Sequence, residues 1–300
     1  MKSRRQSGVA AFVLACLFSV GPFGVVRAAD DKAATPPKPD YSACKRADFR
    51  IVIDVGHTPE VPGADSARGV AEFTFNLRLA KAVEKSLKDA GFSQANLLVT
   101  TGKTRAGLAS RVENANHLPA DLFLSIHHDS VPDKFKAKWD YEGEQHTYCD
   151  RFPGHSIFVS KDNPHYTESL AFARQLGLQL KARGLRYTSH YTEAFMGSRR
   201  RQLVDPQAGV YRYDQLIVLR HTLMPAALLE AGSIINRDEE IALASDERTA
   251  LVGAGVTEAV EAFCAAQATR VADQARQPPR RVEAAATARA PQQATPAKHR

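Results

Sequence analysis

Phe49-Arg50-Ile51-Val52-Ile53-Asp54-Val55-Gly56-His57 opens the folded part of this 300-residue chain with a nearly continuous apolar run. Only Arg50 and Asp54 interrupt it before Gly56, the pattern of a strand covered on both faces, as in a mostly parallel sheet flanked by helices. The period then changes. Phe73, Leu77, Ala80, Val83 and Leu87 fall on one helical face between residues 72 and 90, and Gly91 supplies a fitting C-terminal stop. The alternation repeats downstream: residues 97–100, 121–126, 156–159, 216–219 and 226–229 read as strands. Leu108, Val112 and Ala115, then residues 169–183, then Leu251, Val252, Val256, Val260 and Phe263 read as helices. Strands alternating with helices predict a layered α/β domain.

The flanks differ from this body. Lys2, Arg4 and Arg5 precede an apolar run over residues 9–20, and Val26-Arg27-Ala28 resembles a small-residue cleavage site, which together describe a secretory signal peptide at residues 1–28. Export to the periplasm, or secretion as the alternative, is the expected destination. The run is broken by Gly21-Pro22 and Gly24, which argues against a membrane-spanning helix. Ser3-Arg4-Arg5 leaves the twin-arginine route open as a minor alternative to ordinary export. Residues 29–43, with Pro36, Pro37 and Pro39, read as a linker, and residues 268–300, rich in Ala, Gln, Arg and Pro, as a disordered basic tail. One domain over residues 44–267 remains.

This partition changes the meaning of the formal charge of +7. Of 40 Lys/Arg and 33 Asp/Glu, the signal peptide holds four basic residues and no acid, and the tail seven against two, so residues 29–267 keep 29 basic and 31 acidic side chains. The globular part is not basic, and it carries no recognised nucleic-acid motif, so no nucleic-acid partner is expected. Weak association of the tail with an anionic wall or membrane surface is the reading that fits its charge. Removal of the signal peptide also removes Cys16 and leaves Cys44, Cys149 and Cys264 in an oxidising compartment. A Cys44–Cys264 bridge would tie the two ends of the domain, but spacing alone does not fix the pairing.

Three reactive side chains follow three apolar strands: His57 after residues 49–55, His127 after 122–126 and Glu230 after 226–229. In open α/β sheets, ligands bind at the carboxyl ends of the strands, so this placement gathers the three on one rim. Glu72 opens the helix after the His57 loop and projects toward the same rim. Two imidazoles and one carboxylate make a typical catalytic zinc set with a fourth position open, and the other carboxylate can then serve as general acid and base. There is no Gly-x-Ser-x-Gly elbow and no His-Glu-x-x-His helix.

At these residues the chain resembles the zinc-dependent N-acetylmuramoyl-L-alanine amidases of the amidase 3 cell-wall hydrolase family. The family opens near Ile-Asp-Pro-Gly-His-Gly-Gly, and here Ile53-Asp54-Val55-Gly56-His57-Thr58-Pro59 stands in its place, followed by Glu72, Asn76, Leu77 and Ala80. Arg111, Ala115-Asn116 and Ala120-Asp121-Leu122-Phe123-Leu124-Ser125-Ile126-His127-His128-Asp129-Ser130 resemble the second block. Val218-Leu219-Arg220, Pro225 and Leu228-Leu229-Glu230-Ala231-Gly232-Ser233-Ile234-Ile235-Asn236 resemble the third. The resemblance implies a twisted, mostly parallel six-stranded sheet flanked by helices, zinc (Zn2+) held by His57, Glu72 and His127, and Glu230 as the catalytic residue. It implies hydrolysis of the amide between the lactyl group of N-acetylmuramic acid and L-alanine in peptidoglycan or muropeptides, by a monomer. A zinc peptidase or other amidase on a related wall peptide is the nearest alternative, and a non-catalytic peptidoglycan-binding module the other.

Several features stand apart from the family pattern. Thr58-Pro59 replace two glycines after the first ligand, which stiffens that loop or alters substrate approach. Ser233 replaces a large apolar residue. No long plugging helix is expected, because only residues 161–167 join the fourth strand to the helix that follows. An insertion over residues 131–153 carries Trp139, Tyr141, Tyr148 and Phe152, which either contact substrate or pack on the body. Its Glu142, Glu144 and His146 could reach the metal, although their spacing does not require it. His128 should face away from His127 by strand alternation. Asp54, Asn116 and Arg220 are candidate orienting groups. Arg199-Arg200-Arg201 reads either as a solvated loop or as a contact with anionic wall polymer.

Overall fold

The Phe49–Val55 run forms β1 (Ile51–Val55), every residue of which is buried, in a seven-stranded sheet. The computed structural model describes residues 40–276; the stretch read as a signal peptide, most of that read as a linker and the end of that read as a tail lie outside them. The remaining strands of this sheet are β2 (Ala95–Leu98), β3 (Leu122–Asp129), β6 (Ser156–Val159), β7 (Gln202–Asp205), β8 (Val210–Arg212) and β9 (Ala226–Ser233), in the order β2-β1-β3-β9-β6-β8-β7. Four neighbours, β2, β1, β3 and β9, run parallel; β6 turns antiparallel to β9, β8 is parallel to β6, and β7 is antiparallel to β8. A separate hairpin joins β4 (Ala137–Tyr141) to β5 (Glu144–Tyr148).

Helices cover both faces. On one side α1 (Glu72–Asp89), α3 (Tyr166–Ala182) and α6 (Asp246–Arg276) bury Leu79, Val83, Phe172, Leu176, Val256 and Phe263 against Ile51, Ile53, Leu124 and Leu229. On the other, α2 (Thr104–His117) and α4 (Ile217–Arg220) close over Val52, Phe123, Phe158 and Leu228, while α5 (Arg237–Leu243) follows β9. By length and composition α6 is the one described helix able to cross a membrane, yet Val252, Val256, Val260 and Phe263 are buried in the core, as in the packed helix of a folded domain. Cys44 and Cys264 are joined as a disulfide across 220 residues of sequence, and Cys149 is free and buried.

The structure corrects four expectations. The sheet has seven strands rather than six, because the short β7 and β8 add an edge. Residues 216–219, read as a strand, lie at the helical turn α4, since four apolar residues bury equally well in either conformation. The tail boundary at 268 falls inside α6, which continues to Arg276 as an exposed helix. Finally, His127 and Glu230 lie within β3 and β9 instead of after them: parallel pairing carries the strands past the apolar run.

Candidate metal centre and active site

Beyond β1 the chain makes an abrupt left-handed step at His57, where φ is +66°. A non-glycine residue there stores roughly 1–3 kcal/mol of backbone strain, and the surrounding bonds hold it in place. Arg111 from α2 donates to the His57 carbonyl, and its Nε lies 3.1 Å from Asp54 Oδ1 in a fully buried ion pair. Ser125 of β3 donates to the other Asp54 oxygen at 2.7 Å. Burial raises the Asp54 carboxyl to about 6 against the pull of Arg111. Asp54 thus anchors the backbone of His57 through Arg111.

Thr58, which stands where the family has glycine, donates from its hydroxyl to the Gly102 carbonyl at 2.9 Å and accepts from Val61 N at 3.0 Å. The replacement stiffens the ligand loop by tying it to the segment before α2. At Ser233, the other departure, the backbone N–H donates to Glu239 at 2.9 Å, whereas the buried hydroxyl has no partner.

Glu72 enters at the first turn of α1, where the helix terminus favours a carboxylate. Its Oε2 accepts from His57 Nε2 and its Oε1 from His127 Nδ1, each at 3.0 Å. Burial works against the charged form, but the hydrogen bonds from His127 and His57 prevail and hold the Glu72 carboxyl below the usual range. Burial lowers the pKa of His127. The three side chains place one donor atom each within 4.8 Å of one another.

Small residues make room for this cluster. A Cβ on Gly56 would lie 2.4 Å from the His127 ring, and one on Gly63, where φ is +87°, 2.5 Å from Glu72. Asn76, one turn further along α1, donates to the Gly56 carbonyl at 3.1 Å and to Glu72 Oε1 at 3.2 Å, and accepts from His128 Nδ1 at 2.8 Å. Strand alternation would turn His128 to the opposite side, but the β3–β9 register shifts between His127 and Asp129, and His128 reaches Asn76 of α1 and lines the same cleft. Burial takes its pKa down to about 3, so it stays neutral.

Glu230 is registered directly opposite His127 in the β3–β9 ladder. Its Oε2 is shielded and has no hydrogen-bond partner. Burial, with the charges of Asp129 and Glu72 adding to it, pushes its pKa well above the ordinary carboxyl range. Asp129, raised by burial to about 7, accepts a hydrogen bond from Tyr191 at 2.8 Å. These residues line one cleft of about 310 Å³, together with Arg199, Arg201 and Tyr213. A larger hollow of about 840 Å³ opens near His155, Glu239 and Arg248, but none of the four candidate residues reaches it, so chemistry rather than size selects the smaller cleft.

Not every candidate converges here. Asn116 bonds the 221–223 backbone instead, donating to the His221 carbonyl and accepting from Leu223 N, and Arg220 is exposed away from the cleft. The insertion packs on the body: Trp139 donates to the Ala67 carbonyl at 2.8 Å, while Arg68 and Arg237 lie over its ring at 5.3 and 5.2 Å. Glu142, Glu144 and His146 do not join the donor group. Sequence reasoning missed Tyr191 and Tyr213, whose only signal is an aromatic residue on either side of the Arg199-Arg200-Arg201 run.

A family model described as N-acetylmuramoyl-L-alanine amidase matches residues 51–262. The sporulation-specific N-acetylmuramoyl-L-alanine amidase of Bacillus subtilis (strain 168) is 37% identical over 81 residues, 27% of this chain and 31% of that protein, so the alignment spans less than a third of the relative. Among solved structures, the catalytic domain of CwlV, an amidase from Bacillus (Paenibacillus) polymyxa var. colistinus, superposes with a TM-score of 0.52 at 26% identity, covering 72% of this chain and 97% of that one. The amidase Ami1 from Mycobacterium smegmatis shares the fold with a TM-score of 0.55 at 17% identity, covering 73% and 98%. With the match running from the first strand to the last helix, the chain belongs to the N-acetylmuramoyl-L-alanine amidase family.

Proposed function

We propose that this chain is an exported, zinc-dependent amidase that hydrolyses the bond between the lactyl group of N-acetylmuramic acid and L-alanine in peptidoglycan. The observation that carries the reading is the placement of an unpartnered Glu230 carboxyl oxygen in the same cleft as the His57, Glu72 and His127 donors. Two imidazoles and a carboxylate fit zinc by donor type, and the absence of side chains at Gly56 and Gly63 keeps the space around them clear. A zinc ion held there supplies Lewis acidity to the amide carbonyl.

The remaining chemistry belongs to the chain. Glu230 takes a proton from the attacking water as its oxygen bonds to the carbonyl carbon, then passes that proton to the amide nitrogen as the carbon–nitrogen bond breaks. The products are a lactyl carboxylate and a stem peptide with a free alanyl amine. Asp54 and Arg111 hold the His57 backbone, and Asn76 the Glu72 side chain, in register while this occurs.

Glu230→Gln is expected to keep stoichiometric zinc and lose amide cleavage by a factor of at least ~100, the usual scale of general acid–base assistance, whereas His57→Ala loses both. Purified peptidoglycan or defined muropeptides serve as substrate, with products identified by mass. Normal turnover by Glu230→Gln refutes the mechanism, and release of shortened rather than intact stem peptides refutes the bond assignment in favour of a peptidase.

A further inference from the structure

Arg199 and Arg200 are exposed, as a solvated loop would have them, yet the run also turns toward the cleft. Two 3-10 turns, His190–Thr192 and Ala194–Arg199, fold the preceding segment back so that Arg199 and Arg201 both line the cleft that holds His57, Glu72, His127 and Glu230. The arm is tied to the catalytic strand. Arg201 N donates to the Tyr191 carbonyl at 2.7 Å, and the Tyr191 hydroxyl donates to Asp129 of β3, two residues beyond His127, at 2.8 Å.

Many arginines of the body have acids of their own, as Arg111 pairs with Asp54, Arg174 with Asp205 and Arg237 with Asp150, and what sets Arg199 and Arg201 apart is the lack of one inside this cleft. Among the described residues Arg199 and Arg201 have none within ion-pair distance, although both stand in a cleft. The Arg201 guanidinium lies 3.6 Å over the Tyr213 ring, which fixes its plane, and its Nη1 is engaged by the carbonyls of Ser198 and Arg200. Its Nε is shielded from solvent and has no partner. A stacked guanidinium with an unmet buried donor, beside a second unpaired guanidinium, is a receptor for a planar anion.

The chemistry of the proposed substrate says where such an anion lies. The lactyl carboxyl of the sugar is consumed in the scissile amide, so a carboxylate within a few bonds of that amide belongs to the peptide side. Resting on the amidase reading above, we infer that Arg199 and Arg201 form a carboxylate-binding arm that selects stem peptides with a free, unamidated carboxylate near the cleaved bond.

The test compares two muramoyl dipeptides that differ only in a carboxylate or a primary carboxamide at the second residue, each digested by the zinc-loaded protein and by Arg199→Gln, Arg201→Gln and Arg201→Lys. Wild type should favour the carboxylate in kcat/KM by about tenfold or more, the scale of hydrogen bonds to a charged group. The preference should fall toward one in both Gln variants, through KM for the carboxylate substrate, and recover in part in Arg201→Lys. Thermal midpoints identify any unfolded variant, and the exposed Arg199→Gln provides the decision if Arg201→Gln is unstable. If wild type cleaves both substrates equally, or the Gln variants keep the preference, the inference falls while the amidase reading stands. If wild type cleaves neither, both fall together.

Discussion

The two halves of the sheet are built to different rules. The β2-β1-β3-β9 half is parallel and almost wholly buried at its centre, and it carries His57, His127 and Glu230 on or just beyond strands whose positions are fixed by core packing. The β6-β8-β7 half mixes directions, uses strands of four, three and four residues, and supports the long 183–201 excursion with Arg199, Arg201 and Tyr191. The proposed reactive groups therefore sit on the more regular framework, while the arginine arm proposed to meet the rest of the substrate sits on the less regular one. Rigid elements hold a catalytic geometry more tightly than loops do, and loops vary at lower cost to the core.

The sharpest way to probe this division is to loosen the parallel half without touching its chemistry. The Cys44–Cys264 bridge closes a 220-residue span at the base of that half. Cys44→Ser with Cys264→Ser should cost about 2–5 kcal/mol of stability, read as a lower denaturation midpoint, with zinc stoichiometry of the folded protein preserved. An unchanged midpoint would show that α6 packing alone secures the base.

Asn76→Ala tests the framework nearer the proposed zinc site. It removes the donor shared by the Gly56 carbonyl and Glu72, and the acceptor of His128. Zinc affinity should drop roughly 10–100-fold, the usual effect of losing a group that orients a ligand, as measured by competition with a chelator. Unaltered affinity would mean that backbone packing positions Glu72 without help.

The smallest expected effect lies in the less regular half. Burial lowers His155 and His190 from 6.5 to about 4, so each stays neutral when folded and takes up a proton more readily when unfolded. Their contribution to stability is therefore complete above pH 6.5 and declines as pH falls toward 4, opposite in sign to that of the raised Asp54 and Asp129 carboxyls. The thermal midpoint at pH 5 minus that at pH 7 should accordingly be more positive in His155→Phe than in wild type. An identical difference in the two proteins would remove the His155 imidazole from the account of acid sensitivity.

The same contrast explains what the sequence made legible. The strands β1, β3 and β9 announce themselves as apolar runs, and His57, His127 and Glu230 stand where a run gives way to a polar side chain, while Glu72 opens α1. Val210-Tyr211-Arg212 and Gln202-Leu203-Val204-Asp205 are too short to show a period, and residues 216–219 show an apolar run that helix and strand satisfy alike. The β4–β5 hairpin turns at Glu142-Gly143, both at positive φ, without the Asn-Gly or Asp-Gly pair that usually signals such a turn. The convergence of His57, Glu72 and His127 was legible because its residues are of rare type and regular placement. The arginine arm was not, since its direction depends on two irregular turns and a ring stacked beneath it.

The disulfide also fixes how the domain can be held. Cys44 precedes β1, whereas His57 follows it, so the bridge and the cleft stand at opposite poles of that strand. Chain leaving at Cys44 and chain leaving at Cys264 depart from one point, their Cα atoms 5.1 Å apart. The twelve residues of α6 beyond Cys264 add a helical spacer of roughly 18 Å at 1.5 Å per residue. A bead, fluorophore or fusion partner fixed through either side of the bridge would therefore sit at the pole opposite the His57–Glu230 cleft and leave its mouth uncovered.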